Sequence, residues 1–385
     1  MRLHGWIVAA VLLGLAALSR AEFGDPLCLL TLEEQQRFEA GREAFKEIED
    51  VAAGLGPVFN GTSCAGCHNV GAVGGGSTQV ETRFGTITDV AFDPLAALGG
   101  SLIQVDGIGI ADACTFVGEV VPAQATIVTG RRTTPLFGLG LVDAIPDVGL
   151  LDLAEQEAVD HPETAGRALL VIDAPTGEYR IGRFGWKDQV SSLLHFAGDA
   201  YLNEMGITSP TFLDENCPQG DCTLLACDPV PDPENDGEDV DAFRDFMMLL
   251  APPPLGSESS RSVQRGSRLF DAIGCANCHV RTMVTGPSDV EALRFQVFQP
   301  YSDFLLHDMG SLGDGIEQNG AIGTEMRTAP LWGLQVLTSF LHDGRAQTIE
   351  EAIVAHEGQG RYARNRFMAL RAGQQERVLA FLGQL

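Results

Sequence analysis

Cys64-Ala65-Gly66-Cys67-His68 and Cys275-Ala276-Asn277-Cys278-His279 decide how this chain is read. Each is a Cys-x-x-Cys-His pentapeptide, the attachment site of c-type haem. Two residues between the cysteines match the separation of the two haem vinyl groups. The adjoining histidine is then held beneath the ring, where it ligates iron. A structural zinc site calls for further cysteines or histidines at matching spacing, and a thioredoxin-like redox pair does not need the histidine. Two occurrences, both with histidine, point to two covalently bound haems, with His68 and His279 as proximal ligands.

Similar residues flank the two motifs. Gly41-Arg-Glu-Ala-Phe45 precedes the first, and Gly266-Ser-Arg-Leu-Phe270 precedes the second. Downstream, Arg132-Thr-Thr-Pro-Leu-Phe-Gly-Leu139 matches Arg327-Thr-Ala-Pro-Leu-Trp-Gly-Leu334. An order repeated in this way marks an internal duplication. The expected fold is mainly α: two cytochrome c-like haem domains with long loops and an elaborated insert. The first domain is expected over 22–250 and the second over 258–385. The proline run in residues 251–257 joins them, since it ends a helix and stiffens a linker. Arg132 and Arg327, at equivalent places in the repeat, are expected to pair with haem propionates; salt bridges to aspartate are the alternative.

Local signals agree with helices and loops. Thr31-Leu-Glu-Glu34 is a capping box opening a helix through about Val51, and Thr348-Ile-Glu-Glu351 opens another. Gln374 to Leu385 reads as an amphipathic terminal helix. Asp232 to Asp239 is acidic like the start of a calcium loop. The place where such a loop needs a bidentate glutamate holds Phe243, so a calcium cofactor is not supported there.

The first 21 residues read as a secretory signal peptide: a basic start, the apolar run Trp6 to Leu18, and Ser19-Arg20-Ala21. The run is too short to cross a bilayer comfortably, and no transmembrane segment is expected in the mature chain. Export to the periplasm agrees with haem attachment outside the cytoplasm. The formal charge of −27 excludes nucleic acid as a partner. It suits a basic electron-donor or acceptor protein, such as a cytochrome or cupredoxin. Five cysteines lie outside the haem motifs: Cys28, Cys114, Cys217, Cys222 and Cys227. The last three are expected to supply one disulfide closing a short loop, and the odd count leaves at least one thiol unpaired.

Further segments carry a resemblance. They are Gly-Pro-Val-Phe-Asn-Gly-Thr-Ser-Cys (56–64), Arg-Arg-Thr-Thr-Pro-Leu-Phe-Gly-Leu-Gly-Leu-Val-Asp-Ala-Ile-Pro-Asp (131–147) and Gly-Arg-Phe-Gly-Trp-Lys (182–187). Tyr-Ser-Asp-Phe-Leu-Leu-His-Asp-Met-Gly (301–310), Arg-Thr-Ala-Pro-Leu-Trp-Gly-Leu (327–334) and Leu-His-Asp-Gly-Arg-Ala (341–346) complete the set. Together they resemble the bacterial di-haem oxidoreductases, also labelled thiol oxidoreductases. These are distant relatives of di-haem cytochrome c peroxidase and of the di-haem enzyme of methylamine dehydrogenase maturation.

The resemblance implies one haem with an open iron face that meets peroxide, on the N-terminal motif, and a six-coordinate haem that relays electrons. Relatives place a glutamine and a glutamate above the open haem. Gln104 and Glu119 are the expected equivalents, with Gln156 a rival. Met309 is the expected sixth ligand of the second haem, because a thioether raises the potential; His307, His195 and Tyr301 are fallbacks. Relatives also carry a tryptophan between the haems, for which Trp186 and Trp332 are candidates. Two functions compete. One is a peroxidase-like enzyme using peroxide, oxygen or another small oxidant. The other is a non-enzymatic di-haem electron carrier, for which about 360 residues is generous.

Overall fold

The computed structural model describes residues 22–88, 91–109, 114, 118–257 and 260–385. The export signal expected over residues 1–21 lies outside them. Among the described residues no helix is long and apolar enough to cross a membrane.

Two helix pairs organise the chain around its haem motifs. Helix α1 (Leu32–Lys46) packs on α6 (Glu238–Leu249), and α7 (Arg261–Ala272) packs on α10 (Ala372–Leu382). Both crossings are made at the glycines of the sequence echo. A Cβ on Gly41 would sit 2.3 Å from the Ala242 carbonyl oxygen, and one on Gly266 would sit 1.9 Å from that of Arg377. Only glycine lets the two backbones approach so closely. Four residues on, one helical turn, Phe45 and Phe270 turn inward and are buried. Their rings lie 5.8 Å from His68 and 6.4 Å from His279. The same local construction thus supports both motifs.

The Thr31–Glu34 capping box forms as the residues require, but α1 ends at Lys46 rather than near Val51. Glu47, Glu49 and Asp50 follow, and negative charge at a helix C-terminus opposes the macrodipole. Asp50 instead caps a separate 3₁₀ turn, Val51–Ala53. The Thr348–Glu351 box opens α8 (Ile349–Val354). Helix α10 begins two residues earlier than expected and stops at Leu382.

The remaining helices are α2 (Cys64–Cys67), α3 (Leu139–Asp143), α4 (Asp147–Asp160), α5 (Leu193–Met205) and α9 (Arg361–Met368). Small antiparallel sheets fill the connections. The largest is β3-β2-β5, formed by Phe92–Asp93, Val80–Ile87 and Ile127–Arg132, with Val80 opposite Arg132 and Gly85 opposite Ile127. Helix makes up 37% of the described residues and strand 14%.

The largest apolar core gathers Phe38, Phe45, Leu136, Phe184, Tyr201 and Phe246 with Phe298, Phe304 and Trp332. A second, smaller core under the C-terminal motif holds Val263, Phe270, Tyr301, Phe367 and Phe381. Arg281 covers it, its guanidinium 5.3–5.6 Å from the rings of Phe270, Tyr301 and Phe381. Pro252 and Pro253 of the linker stretch pack on the echoed glycines Gly138 and Gly333 respectively. A buried ion cluster ties β5 to the 310–325 segment. Asp314 accepts from Arg131 Nε at 2.7 Å and pairs with Lys187 Nζ at 2.8 Å.

The cysteines outside the motifs divide cleanly. Cys217–Cys222 closes a short loop as the spacing suggested, Cys114–Cys227 forms a long one, and Cys28 is left free.

Candidate di-haem site

Two cavities flank the motifs, of about 220 Å³ at Cys64–His68 and about 260 Å³ at Cys275–His279. The four motif cysteines are free thiols in a chain whose other cysteines form two disulfides and leave only Cys28. Burial pushes the thiols of Cys64 and Cys275 up to about 12. A redox pair works through a depressed thiol, so these cysteines have the opposite character.

The histidines are oriented identically. His68 Nδ1 lies 3.0 Å from the Gly75 carbonyl oxygen, and His279 Nδ1 lies 3.0 Å from that of Tyr301. A carbonyl can only accept, so each Nδ1 carries the hydrogen and each Nε2 presents its lone pair. A backbone carbonyl holding one ring nitrogen in this way orients an imidazole to ligate through the other. Burial pushes both rings down to about 4, which keeps them neutral and able to ligate.

His356, which sequence reasoning missed, repeats the pattern. Its Nδ1 is 2.7 Å from the Ala352 carbonyl oxygen, burial lowers its pKa, and it lines the second cavity with His279. Met309 lines the same cavity; a Cβ on Gly360 would meet both Met309 Cε and His356 Cδ2 at 3.0 Å. Of the fallbacks, His307 is bonded to Asp303 Oδ2 at 2.9 Å, and His195 Nδ1 accepts from the Ala174 amide at 3.2 Å. Tyr301 is packed in the smaller core.

Arg132, Thr133, Thr134, Gly185, Trp186 and Phe196 line both cavities and so form a common wall. Trp186 Nε1 donates to the Arg132 carbonyl at 2.8 Å. Trp332 lines only the second cavity and packs at 5.9 Å on Phe298. Arg132 is buried, with Nη2 donating to the Ser77 carbonyl at 3.2 Å and Nε left without a partner. Arg327 Nε donates to the Gly185 carbonyl at 2.6 Å and stands 3.6 Å from Asp188. A buried guanidinium with an orphaned N–H needs an acceptor, and a haem propionate is one. The donor set, the largely apolar cavities and this orphan fit haem.

Gln104 and Glu119 line neither cavity. The Gln104 amide donates to Glu119 Oε2 at 3.0 Å, Gln104 Nε2 donates to the Asn203 carbonyl at 3.2 Å, and Glu119 Oε1 accepts from the Gln219 amide at 2.6 Å. Gln156 is bonded to Asp160 at the surface.

A different polar set faces the first cavity: Glu81 and Arg83 on β2, Asp199 and Glu204 on α5, and Asn60. Residues two apart on a strand share a face, which pairs Arg83 Nε with Glu81 Oε1 at 2.9 Å. The Glu204 carbonyl accepts the Asn60 and Gly61 amides at 2.7 and 3.1 Å, and its side chain accepts from Asn60 Nδ2 at 2.9 Å. These bonds hold Glu204 beside the segment leading to Cys64. Burial and the adjacent Glu81 carboxylate push Glu204 up to about 8, while Glu81, beside Arg83, lies below its usual range. The two carboxyls thus differ in acidity, with Glu204 raised and Glu81 lowered beside a cation.

The family described as "Di-haem oxidoreductase, putative peroxidase" matches residues 121–385. No curated protein matches the chain. Among solved structures, hydrazine synthase of Kuenenia stuttgartiensis is 17% identical with a TM-score of 0.40, covering 99% of this chain and 100% of that one. A variant of the di-haem peroxidase BthA from Burkholderia thailandensis is 14% identical with a TM-score of 0.42, covering 91% and 85%. A MauG-like protein associated with microbial copper homeostasis is 15% identical with a TM-score of 0.40, covering 94% and 93%. The chain belongs to the di-haem oxidoreductase family and is a peroxidase-like oxidoreductase enzyme.

Proposed function

We propose that the protein is an exported di-haem c-type peroxidase in which the first cavity meets peroxide and the second relays electrons. Cys64, Cys67 and His68 would hold one haem, and Cys275, Cys278 and His279 would hold the other. The two supports built from Gly41/Phe45 and Gly266/Phe270 favour two cytochrome c-like domains arising by duplication, joined at residues 251–257.

The single observation that carries the division of labour is the common wall, with Trp186 in both cavities and its indole tied to the Arg132 carbonyl. The wall puts an oxidisable aromatic side chain between the sites and fixes its orientation. Arg132, which lines both cavities, and Arg327, which lines the second, would pair with haem propionates.

Bound haem iron supplies ligand exchange and one-electron transfer. The chain supplies the rest. In the second cavity His356 would serve as a further iron ligand in preference to Met309, because its Nδ1 is already bonded to the Ala352 carbonyl and its Nε2 would be left to ligate. In the first cavity His68 is the only histidine in the lining, and Met205 and Met247 are packed in the main core. That would leave room in the first cavity for a small oxidant. Glu204 and Glu81 accept and return a proton between peroxide oxygens, and Arg83 stabilises the charge that separates. These residues take the role first assigned to Gln104 and Glu119.

The test is to mix fully reduced protein with one equivalent of hydrogen peroxide and follow both haem absorption bands. Peroxide takes two electrons and two protons to give two waters, so both bands convert to the oxidised form. Bands that do not respond to peroxide would restore the reading of a simple electron carrier.

A further inference from the structure

Only two lysines occur in the chain, and one of them, Lys187, directly follows Trp186 and is shut off from solvent. A bridge between Phe184 and Val190 closes the loop that carries both residues. Gly185 and Asp188 take positive φ, 75° and 51°, so the backbone turns on either side of the pair.

The Lys187 ammonium sits among oxygens. Its Nζ lies 2.8 Å from Asp314 Oδ1 and donates to the carbonyls of Ile322 at 3.0 Å and Glu325 at 2.5 Å, with that of Gly323 at 3.4 Å. Its three N–H groups are thereby used. A compact ammonium suits such a cradle, whereas the planar guanidinium of arginine matches paired carboxylate oxygens.

Two of these contacts reach the anchors of Trp186. Asp314 also accepts from Arg131 Nε, and the carbonyl of the next residue, Arg132, receives the Trp186 indole N–H. Glu325 opens the short strand Glu325–Arg327. At the far end of that strand the Arg327 amide donates to the Trp186 carbonyl at 2.9 Å, and Arg327 Nε donates to the Gly185 carbonyl at 2.6 Å. One ammonium therefore ties together the two segments that grip Trp186, β5 on one side and Glu325–Arg327 on the other. Replacing a buried ion pair with apolar side chains of similar volume is often neutral or stabilising, so stability alone gives little reason to bury a lysine here.

We propose that Lys187 is a positioning residue for electron exchange between the haems, holding the Trp186 ring where it borders both cavities. The inference rests on Trp186 carrying electrons between the sites, as proposed above. Lys187 lines neither cavity and acts through the anchors at Arg132 and Arg327.

The test compares Lys187→Met, Trp186→Phe and the double variant, each as full-length, haem-loaded protein. Methionine keeps most of the stem and removes the charge. Rapid mixing with peroxide reads electron exchange between the haems, and thermal unfolding is measured alongside. Lys187→Met is expected to keep both haem spectra and to slow the exchange by an order of magnitude or more. In the Trp186→Phe background the same substitution adds nothing to the rate, while its effect on melting temperature persists. A lysine that only supports the fold acts alike in both backgrounds. Should Lys187→Met fail to fold, Lys187→Gln, which keeps N–H donors without the charge, provides the same comparison. If Trp186→Phe leaves the exchange unchanged, the relay reading falls and takes this inference with it. If Trp186→Phe slows the exchange and Lys187→Met does not, or slows it equally in both backgrounds, the relay stands and the role given to Lys187 is overturned.

Discussion

Trp186 hydrogen-bonds through its indole N–H to the backbone carbonyl of Arg132 at 2.8 Å, and both residues border the two cavities at once. The bond joins the start of the echoed Arg132–Leu139 segment to the Gly182–Lys187 segment some fifty residues on, and it fixes the ring in the wall.

Replacing Trp186 with phenylalanine keeps an aromatic filler but removes the most easily oxidised ring and its anchor. Haem content should be unchanged, while electron exchange between the two haems after peroxide addition slows by an order of magnitude or more. Rapid-mixing optical spectroscopy reads the rate directly. An unchanged rate would show that electrons pass by another route.

Glu204 gives a pH signature. Its pKa near 8 means the carboxyl keeps its proton at neutral pH and releases it as pH rises through that value. As a base its deprotonated form is needed, so peroxide turnover climbs toward alkaline pH with a midpoint near 8. Glu204→Gln flattens that profile and lowers the rate by about 10²–10⁴-fold, the range for loss of a positioned proton acceptor. A profile unaffected by the substitution assigns the proton elsewhere.

The distinction between what sequence reveals and what it hides runs along separation in the chain. The haem motifs, both Thr–Glu capping boxes and the short Cys217–Cys222 loop are legible because their partners lie within a few residues. The echoed glycines and phenylalanines were legible as a repeat, and their role at the helix crossings emerges only with the opposing backbone in place. His356 and Glu204 were hidden for the same reason. His356 lies far from His279 in sequence, in the turn just past the end of α8, and Glu204 reaches the first cavity from more than a hundred residues beyond Cys64. Gln104 and Glu119 had the right chemistry and order, but they are bonded to one another and to the backbone of Asn203 and Gln219, outside both cavity linings. The Glu81-x-Arg83 pair on one strand face was the signal available for the polar set.

His356→Ala should open the second iron, converting its ferric spectrum from low-spin to high-spin and admitting carbon monoxide to the ferrous form. Met309→Leu should leave both spectra as they are. If the wild type shows the near-infrared band of a thioether ligand and Met309→Leu abolishes it, Met309 holds the position instead.

Asp314 offers a stability test away from the haems. Arg131 and Lys187 lower its pKa against burial, so the unfolded state binds the proton more tightly. Its contribution is complete above the ordinary aspartate range, about 4, and is lost as pH falls through the lower folded value. Asp314→Asn leaves two buried cations around a neutral amide and should destabilise the fold by about 3–5 kcal/mol at pH 7, measured by denaturant unfolding. A change under about 1 kcal/mol would mean water reaches the cluster.

The most direct measurement is quantitative EPR of the ferric protein together with its covalent haem content. The expected outcome is two tethered porphyrins per chain, one high-spin signal and one low-spin signal in equal amount, with only the high-spin one altered by small ligands. Two low-spin irons indifferent to every added ligand, or a chain holding fewer than two haems, would contradict the account.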